Sequence, residues 1–335
     1  MPNFVAFPNS PFLKTNRVDP FLTFLEKMKI DFYLCTDASK ADYIFLYPNR
    51  LIELYECCFA YKNKIIIFVT GEAMTPDLNL FDYAFAYDPI ECGDRYQQVY
   101  FQNLMYEYSF EESQRIYPKN NKTKFCNFIY SNSRAHKIRD EFFFTLSKYN
   151  KVDSLGSHLK NVNKEISPPY KGSWFLESIR EKAPYKFSIA FENTSHIGYT
   201  TEKILSSMLA NTIPIYWGNK DVSKLYNNNS FINCHEFENL NEVVERIVTL
   251  NENPDMYEEM LAQPWQTADQ RTLVQQQKDQ LVGRINHIFK QTYSDAFRKP
   301  EGCWADIYRN NICQRHPPKK TNFISKIKQL KSRIL

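Results

Sequence analysis

Apolar residues recur along this chain in short unbroken runs separated by stretches of helical period, the alternation expected of parallel strands joined by crossover helices. NFVAF, DFYLC and ADYIFLYP read as the first strands, with a helix over about Pro20–Met28 between the first two. A helical stretch follows at Arg50–Ala60. Lys64–Glu72, KIIIFVTGE, is a continuous apolar strand closing on Thr70, Gly71 and Glu72. LFDYAFAYDP continues the domain, whereas Glu91–Met105 is polar and tyrosine-rich, has no period and receives no element. Phe110–Lys124 is charged and holds Pro118 and paired asparagines, so it reads as a linker.

A second β/α series starts at FCNFIYSN (Phe125–Asn132). The spacing of Ile138, Phe142, Leu146 and Tyr149 predicts a helix over Ala135–Tyr149, followed by a strand in KVDSLG and a helix over Trp174–Glu181. Lys186–Gly218 is the most informative stretch: a buried strand to Phe191, a polar loop Asn193–Thr200 carrying Gly198, a helix with Ile204, Leu205, Met208 and Leu209 on one face, and a strand Ile213–Trp217. Thr200 is the expected N-cap. A βαβ unit of this kind is right-handed and aims its helix N-terminus at the carboxyl edge of the sheet, where α/β folds bind ligands. FINCHEF reads as a further strand, with helices over Asn239–Leu250 and Pro254–Tyr293.

Lys203 falls in the first turn of the central helix, where the dipole disfavours a cation by a few tenths of a kcal/mol up to ~1 kcal/mol. An anion should offset it, and either a bound phosphate or a surface carboxylate of the protein fits. Glu72 ends a buried strand at the ligand edge; taken alone it reads as a solvated loop acid before it reads as a catalytic one. Arg139, taken alone, reads as a surface arginine. His196 has no companions at metal-ligand spacing.

The wording of these pieces adds to their chemistry. FENTSHIGYTTEK followed by IPIYWG, Thr70-Gly71-Glu72 with NLFDYAFAYD (Asn79–Asp88) behind it, and FCNFIYSN with Arg139 on the next helix together resemble the donor-site signature of the α1,3/4-fucosyltransferase family. The similar pieces run in the family's order from about Ile65 to about Glu242. The resemblance implies an α/β fold of the GT-B glycosyltransferase type, two facing Rossmann-like domains with a cleft between them, and final helices that cross back to the first domain. Residues 1–115 would be the acceptor domain, 116–300 the GDP-sugar donor domain and 301–335 a basic tail. The implied reaction moves L-fucose from GDP-β-L-fucose, with inversion, to a glycan acceptor, in the first instance the GlcNAc 3-OH of an N-acetyllactosamine-type chain. Glu72 would be the general base, Arg139 and Lys203 would hold the diphosphate, Asn193 and Tyr199 would bind ribose or phosphate, and Glu202 would lie near the fucose. No cofactor or metal is expected to be required, a divalent cation such as Mn being at most stimulatory. Residues Met1–Asn49 lack the Trp-containing start associated with bacterial members, which leaves the acceptor open. Two other readings are a transferase for another GDP-sugar and a non-catalytic nucleotide-sugar or glycan-binding protein. Retention of Glu72, Arg139, Glu202 and Lys203 together argues against the latter.

A length of 335 residues and 43% hydrophobic content suit about two domains with a core each. A net charge of +4 without basic clusters in the body of the chain speaks against a nucleic-acid partner. No apolar run reaches about 18 residues, and Met1–Leu13 has no signal-peptide pattern, so the expected location is cytoplasmic. Pro317–Leu335 holds six Lys or Arg and no acid, with Phe323, Ile324, Ile327, Leu330 and Ile334 at helical spacing. That pattern fits peripheral contact with the inner membrane face and equally a solvated tail. The eight cysteines show no CxxC pair; most should be reduced, and a Cys303–Cys313 bridge would need an oxidising compartment. Of the three sequons, at Asn121, Asn193 and Asn228, a glycan on Asn193 would block the expected site.

Overall fold

The computed structural model describes residues 3–15, 17, 19–105, 110–111, 113, 122–164 and 174–316. The first sheet has six strands, β1 (Phe4–Ala6), β2 (Tyr33–Leu34), β3 (Tyr43–Leu46), β4 (Ile65–Val69), β5 (Tyr83–Ala86) and β6 (Tyr96–Gln98), in the order β2-β1-β3-β4-β5-β6. Every pairing is parallel, with Ile44 opposite Ile66 and Phe68 opposite Ala84 at its centre. Helices α1 (Pro20–Lys27) and α2 (Leu51–Ala60) supply crossovers. Asp19 caps α1, accepting from the N–H of Phe21 at 3.0 Å and of Leu22 at 3.1 Å, and Pro20 sits in the first turn, where its missing N–H costs nothing.

A short helix α3 (Phe101–Met105) follows β6. The stretch Glu91–Met105, which shows no period, thus contains both β6 and α3, elements of three and five residues that are too short to display one. The second sheet comprises β7 (Lys124–Phe128), β8 (Val152–Ser154), β9 (Tyr185–Phe191), β10 (Ile213–Trp217) and β11 (Ile232–Asn233), again all parallel, in the order β11-β10-β9-β7-β8. Its helices are α4 (Ile138–Ser147), α5 (Trp174–Lys182), α6 (Glu202–Leu209), α7 (Leu240–Glu252) and α8 (Pro254–Leu261). FINCHEF is a strand only at Ile232–Asn233. The Asn233 side chain then accepts from the His235 N–H at 3.2 Å and turns Cys234–Glu236 into a 3-10 segment.

The long helix α9 (Ala268–Lys290) opens with a Thr267/Gln270 capping box and runs back to the first sheet, where Tyr43 Oη donates to the Ile288 carbonyl at 3.4 Å. Two shorter helices, α10 (Tyr293–Ala296) and α11 (Cys303–Arg315), keep the chain there; Tyr308 of α11 hydrogen-bonds Asp77. One apolar cluster joins α1 and the inner face of the first sheet to α6 and α9, so the two sheets share a core in addition to the separate clusters on their outer faces. Most of the expected linker, Asn121 and the tail 317–335 lie outside the described residues, as do the side chains of Cys303 and Cys313.

Strand order locates the places where ligands bind such sheets. In the second sheet the chain passes from β7 to β8 on one side and then to β9 on the other, so the switch point opens between the carboxyl ends of β7 and β9. In the first sheet it opens between β1 and β3. Tyr130 and Asn132, after β7, and Asn193, after β9, line one of two neighbouring cavities; Phe12, after β1, and Tyr47 and Asn49, after β3, line the other.

Candidate active site

β9 runs directly into Glu192, which is fully buried. Its carboxylate accepts from the Thr201 N–H at 2.8 Å, from the Thr201 hydroxyl at 2.8 and 3.1 Å, and from Lys203 Nζ at 3.0 Å. The anion that Lys203 needs in the first turn of α6 is therefore a carboxylate of the chain itself, buried and not on the surface. Burial works against the Lys203 charge, but Glu192 and then Glu202 outweigh it and hold its pKa well above the ordinary lysine range. The N-cap of α6 is Thr201, not Thr200. The Thr201 hydroxyl makes no capping bond: it donates to Glu192 and accepts from Lys203 Nζ at 2.8 Å, and the Thr200 hydroxyl accepts from Asn219 Nδ2 at 3.0 Å. Glycine at 218 makes room for this arrangement: a Cβ there would lie 2.5 Å from Glu192 Cγ.

Arg139, on the first turn of α4, is 1% exposed and is not a solvated surface residue. One guanidinium nitrogen donates to Asn193 Oδ1 at 3.3 Å and another to the Asn132 carbonyl, while the group lies 4.2 Å over the Tyr130 ring. Among the described residues no carboxylate pairs with it, and its Nε is buried without a hydrogen bond. Burial lowers its pKa from the ordinary value, and Tyr130 and Asp140 oppose that effect. An arginine held dry and without a counter-ion beside a cavity is a place for an external anion.

Arg139, Asn193, Glu202 and Lys203 line one cavity of about 270 Å³ together with Glu72, which the Thr70 hydroxyl fixes by accepting from its N–H at 2.8 Å. Glu72 thus stands across the cleft from the two cations. Its carboxylate reaches solvent in the cleft but is crowded by protein elsewhere; burial raises its pKa, Lys203 lowers it, Glu202 raises it and the Tyr199 hydroxyl lowers it, with a net rise. Tyr199 stands apart from the cavity wall. It is buried between the sheets, edge-on to Tyr87 at 5.2 Å, and its hydroxyl reaches Glu72 Oε2 at 3.4 Å, so it bears on the expected base and not on the cavity.

Three residues of the site escape sequence reasoning. Glu192 lies inside the quoted FENT stretch, and the only signal for it is the anion that Lys203 demands. Lys182, from the last turn of α5, also lines the cavity; it is 6% exposed and donates to Ser206 Oγ at 2.5 Å and Ser207 Oγ at 3.3 Å. Burial brings its pKa down to about 7. Gln102 of α3 lines an adjoining cavity that shares Glu72 and Glu202. His196 pairs with Asp88 at 2.9 Å, and among the described residues no group of His, Cys, Asp and Glu could hold a metal ion.

A family model described as the C-terminal part of glycosyltransferase family 10 (fucosyltransferase) matches residues 119–293, and one for the N-terminal domain of an α-(1,3)-fucosyltransferase FucT matches residues 13–106. The α-(1,3)-fucosyltransferase FucT of Helicobacter pylori is 30% identical over 252 residues, covering 63% of this chain and 49% of its own, so the chain spans about half the length of that relative. A crystal structure of an α1,3-fucosyltransferase superposes over 90% of this chain and 93% of its own, with a TM-score of 0.73 and 24% identity. The structure of an α1,3-fucosyltransferase with GDP-fucose gives a TM-score of 0.68 over 87% and 91% of the two chains at 23% identity. The two-sheet architecture is thus the GT-B-type fold of these enzymes.

Proposed function

The chain belongs to glycosyltransferase family 10, and on that premise we propose that it transfers L-fucose from GDP-β-L-fucose to a glycan hydroxyl with inversion at the anomeric carbon, making an α1,3 linkage to the GlcNAc of an N-acetyllactosamine-type acceptor. The observation that carries the reading is that Glu72 of the first domain and Arg139 and Lys203 of the second wall the same cavity. The acceptor oxygen forms its bond to C1 as the bond from C1 to the β-phosphate oxygen breaks, and the leaving GDP takes the electron pair. Glu72 accepts the proton of the acceptor hydroxyl, a role helped by a pKa raised toward the working range. Arg139 and Lys203 offset the charge that grows on the diphosphate, with no metal invoked in this step. Asn193, which orients Arg139, binds ribose or phosphate, and Glu202 lies near the sugar. The match of residues 13–106 to the α-(1,3)-fucosyltransferase N-terminal model supports the linkage assigned.

Incubation with GDP-fucose and N-acetyllactosamine should add a deoxyhexose detectable by mass spectrometry. Glu72→Gln should lower turnover by about 10²–10⁴-fold while GDP still binds, and Lys203→Gln, which keeps a hydrogen bond to Glu192, should weaken GDP binding itself. Wild-type protein that fails to bind GDP would overturn the reading. We further place the enzyme in the cytoplasm, at the inner membrane face through the basic tail 317–335; the full chain should then sediment with anionic vesicles and not with neutral ones.

A further inference from the structure

The larger cavity, about 410 Å³, opens on the first-domain side of Glu72. It stands at the β1/β3 switch point: Phe12 follows β1, Tyr47 and Asn49 follow β3, and Phe21, Phe101 and Trp174 complete an aromatic wall. Gln102 is set into that wall at 2% exposure, and neither its amide oxygen nor its amide nitrogen makes a hydrogen bond. A buried amide left open at both ends destabilises the fold unless something else completes it. Its neighbour is the Tyr226 hydroxyl, also buried and also without a bond of normal geometry. A hydroxyl in that place can satisfy one site of an amide that has four.

We propose that this cavity holds the acceptor glycan and that Gln102 reads a vicinal diol on it, one hydroxyl donating to Oε1 while the adjacent one accepts from Nε2. The inference rests on the glycosyltransferase reading and names the acceptor chemistry of the same cleft. A planar amide is the side chain whose donor and acceptor stand side by side, as do two neighbouring hydroxyls on a pyranose. The aromatic wall suits the C–H face of the same ring, and the volume lies within the range of small-molecule sites. Glu72 and Glu202 border both cavities, so a glycan bound on Gln102 presents its next ring to the base. In N-acetyllactosamine only the galactose carries a vicinal diol, which makes galactose the ring that Gln102 reads and leaves the GlcNAc hydroxyl for Glu72.

The test measures binding of N-acetyllactosamine, and of its analogue deoxygenated at galactose C3, to the GDP-saturated full chain by saturation-transfer NMR, with acceptor KM measured alongside. The analogue has no vicinal diol. Wild-type protein should prefer the parent sugar by about tenfold or more, and Gln102→Leu should bind both at the weaker level, with GDP affinity unchanged. A Gln102→Leu protein that gains thermal stability but binds the parent sugar as tightly as wild type would overturn the proposal, because that is the behaviour of an amide with a purely structural role. Equal binding of the two sugars by wild type, or binding of neither, would overturn it as well. If the preference is found but no fucose is transferred, the diol site stands and the reaction assigned above fails.

Discussion

Gly198 lies so close to the Tyr87 carbonyl that a Cβ at position 198 would fall 2.0 Å from that oxygen, and its φ of +83° is one that side chains other than glycine rarely adopt. The loop between β9 and α6 is thereby pressed against the end of β5, and the Gly198 N–H is held by Asn219 Oδ1 at 2.8 Å. One loop residue thus sets how the second sheet meets the first.

Gly198→Ala should therefore do more than strain one turn. Neither the Tyr87 backbone nor the loop can move without disturbing the His196–Asp88 pair and the Tyr199 contact to Glu72. We expect a loss of about 2–4 kcal/mol in urea unfolding, together with a fall in kcat larger than any change in GDP affinity. Unchanged stability would mean that the two sheets are not held together at this point.

Tyr199 and Glu202 act on Glu72 in opposite directions, the hydroxyl lowering its pKa and the neighbouring carboxylate raising it. As the proposed base, Glu72 works only when ionised, so activity should fall as pH drops through its pKa. Tyr199→Phe removes a stabilising donor, and the acid limb of kcat/KM should move to higher pH; Glu202→Gln removes a repulsion, and the limb should move to lower pH even as kcat falls. Profiles that shift together, or not at all, would take the acid limb away from Glu72.

What could be read from the sequence follows from how local each signal is. The runs IIIFV in β4 and IPIYW in β10 announce buried parallel strands because every residue of each is apolar or packed as such. Glu72, Arg139 and Lys203 were legible through the wording around them, and the structure brings all three to one cavity. Glu192 was not, because nothing in the period of β9 tells that the residue after Phe191 stays buried with its charge. Gln102 rides on a helix of five residues, too short for a periodic face. The shared core escaped for another reason: contacts such as Tyr43 with Ile288 join residues that no local pattern relates. Lys182 could not be told from an exposed lysine at a helix end, although its burial has a measurable consequence.

Burial holds Lys182 at a pKa of about 7, against 10.5 for an ordinary lysine. Below pH 7 both the folded and the unfolded chain carry the proton, and the fold bears the full cost of a buried charge. Between about pH 7 and 10.5 the unfolded chain keeps a proton that the folded one has released, so this residue makes stability rise with pH. Lys182→Met should be more stable than wild type at neutral pH by about 2–4 kcal/mol, a gap that closes toward pH 10. Ser206 and Ser207 keep their bonds to the Lys203 carbonyl in the variant. A gap constant with pH would show that Lys182 is protonated throughout.

Asp82 and Lys299 anchor the segment before α11 to the first sheet. Their side chains are buried and 2.6 Å apart, and Lys299 Nζ also donates to the Lys64 carbonyl at 2.6 Å and lies 4.0 Å from the centre of the Phe297 ring. The carboxylate is the better served of the two, since it accepts from the backbone N–H groups of Ile66, Arg298 and Lys299 at 2.7, 2.7 and 2.9 Å. Removing either partner leaves a buried charge, but the charges left behind differ in what remains to satisfy them. Asp82→Ala strands an ammonium with one carbonyl and frees three N–H groups, and should cost about 3–5 kcal/mol. Lys299→Met leaves a carboxylate that still has three backbone donors, and should cost less. The double variant should be less damaged than the sum of the two, which urea unfolding of all four proteins measures as a coupling energy. Should Lys299→Met prove the more damaging change, the ammonium and not the backbone would be what keeps Asp82 buried, and α11 would owe its place on the first sheet to that single charge.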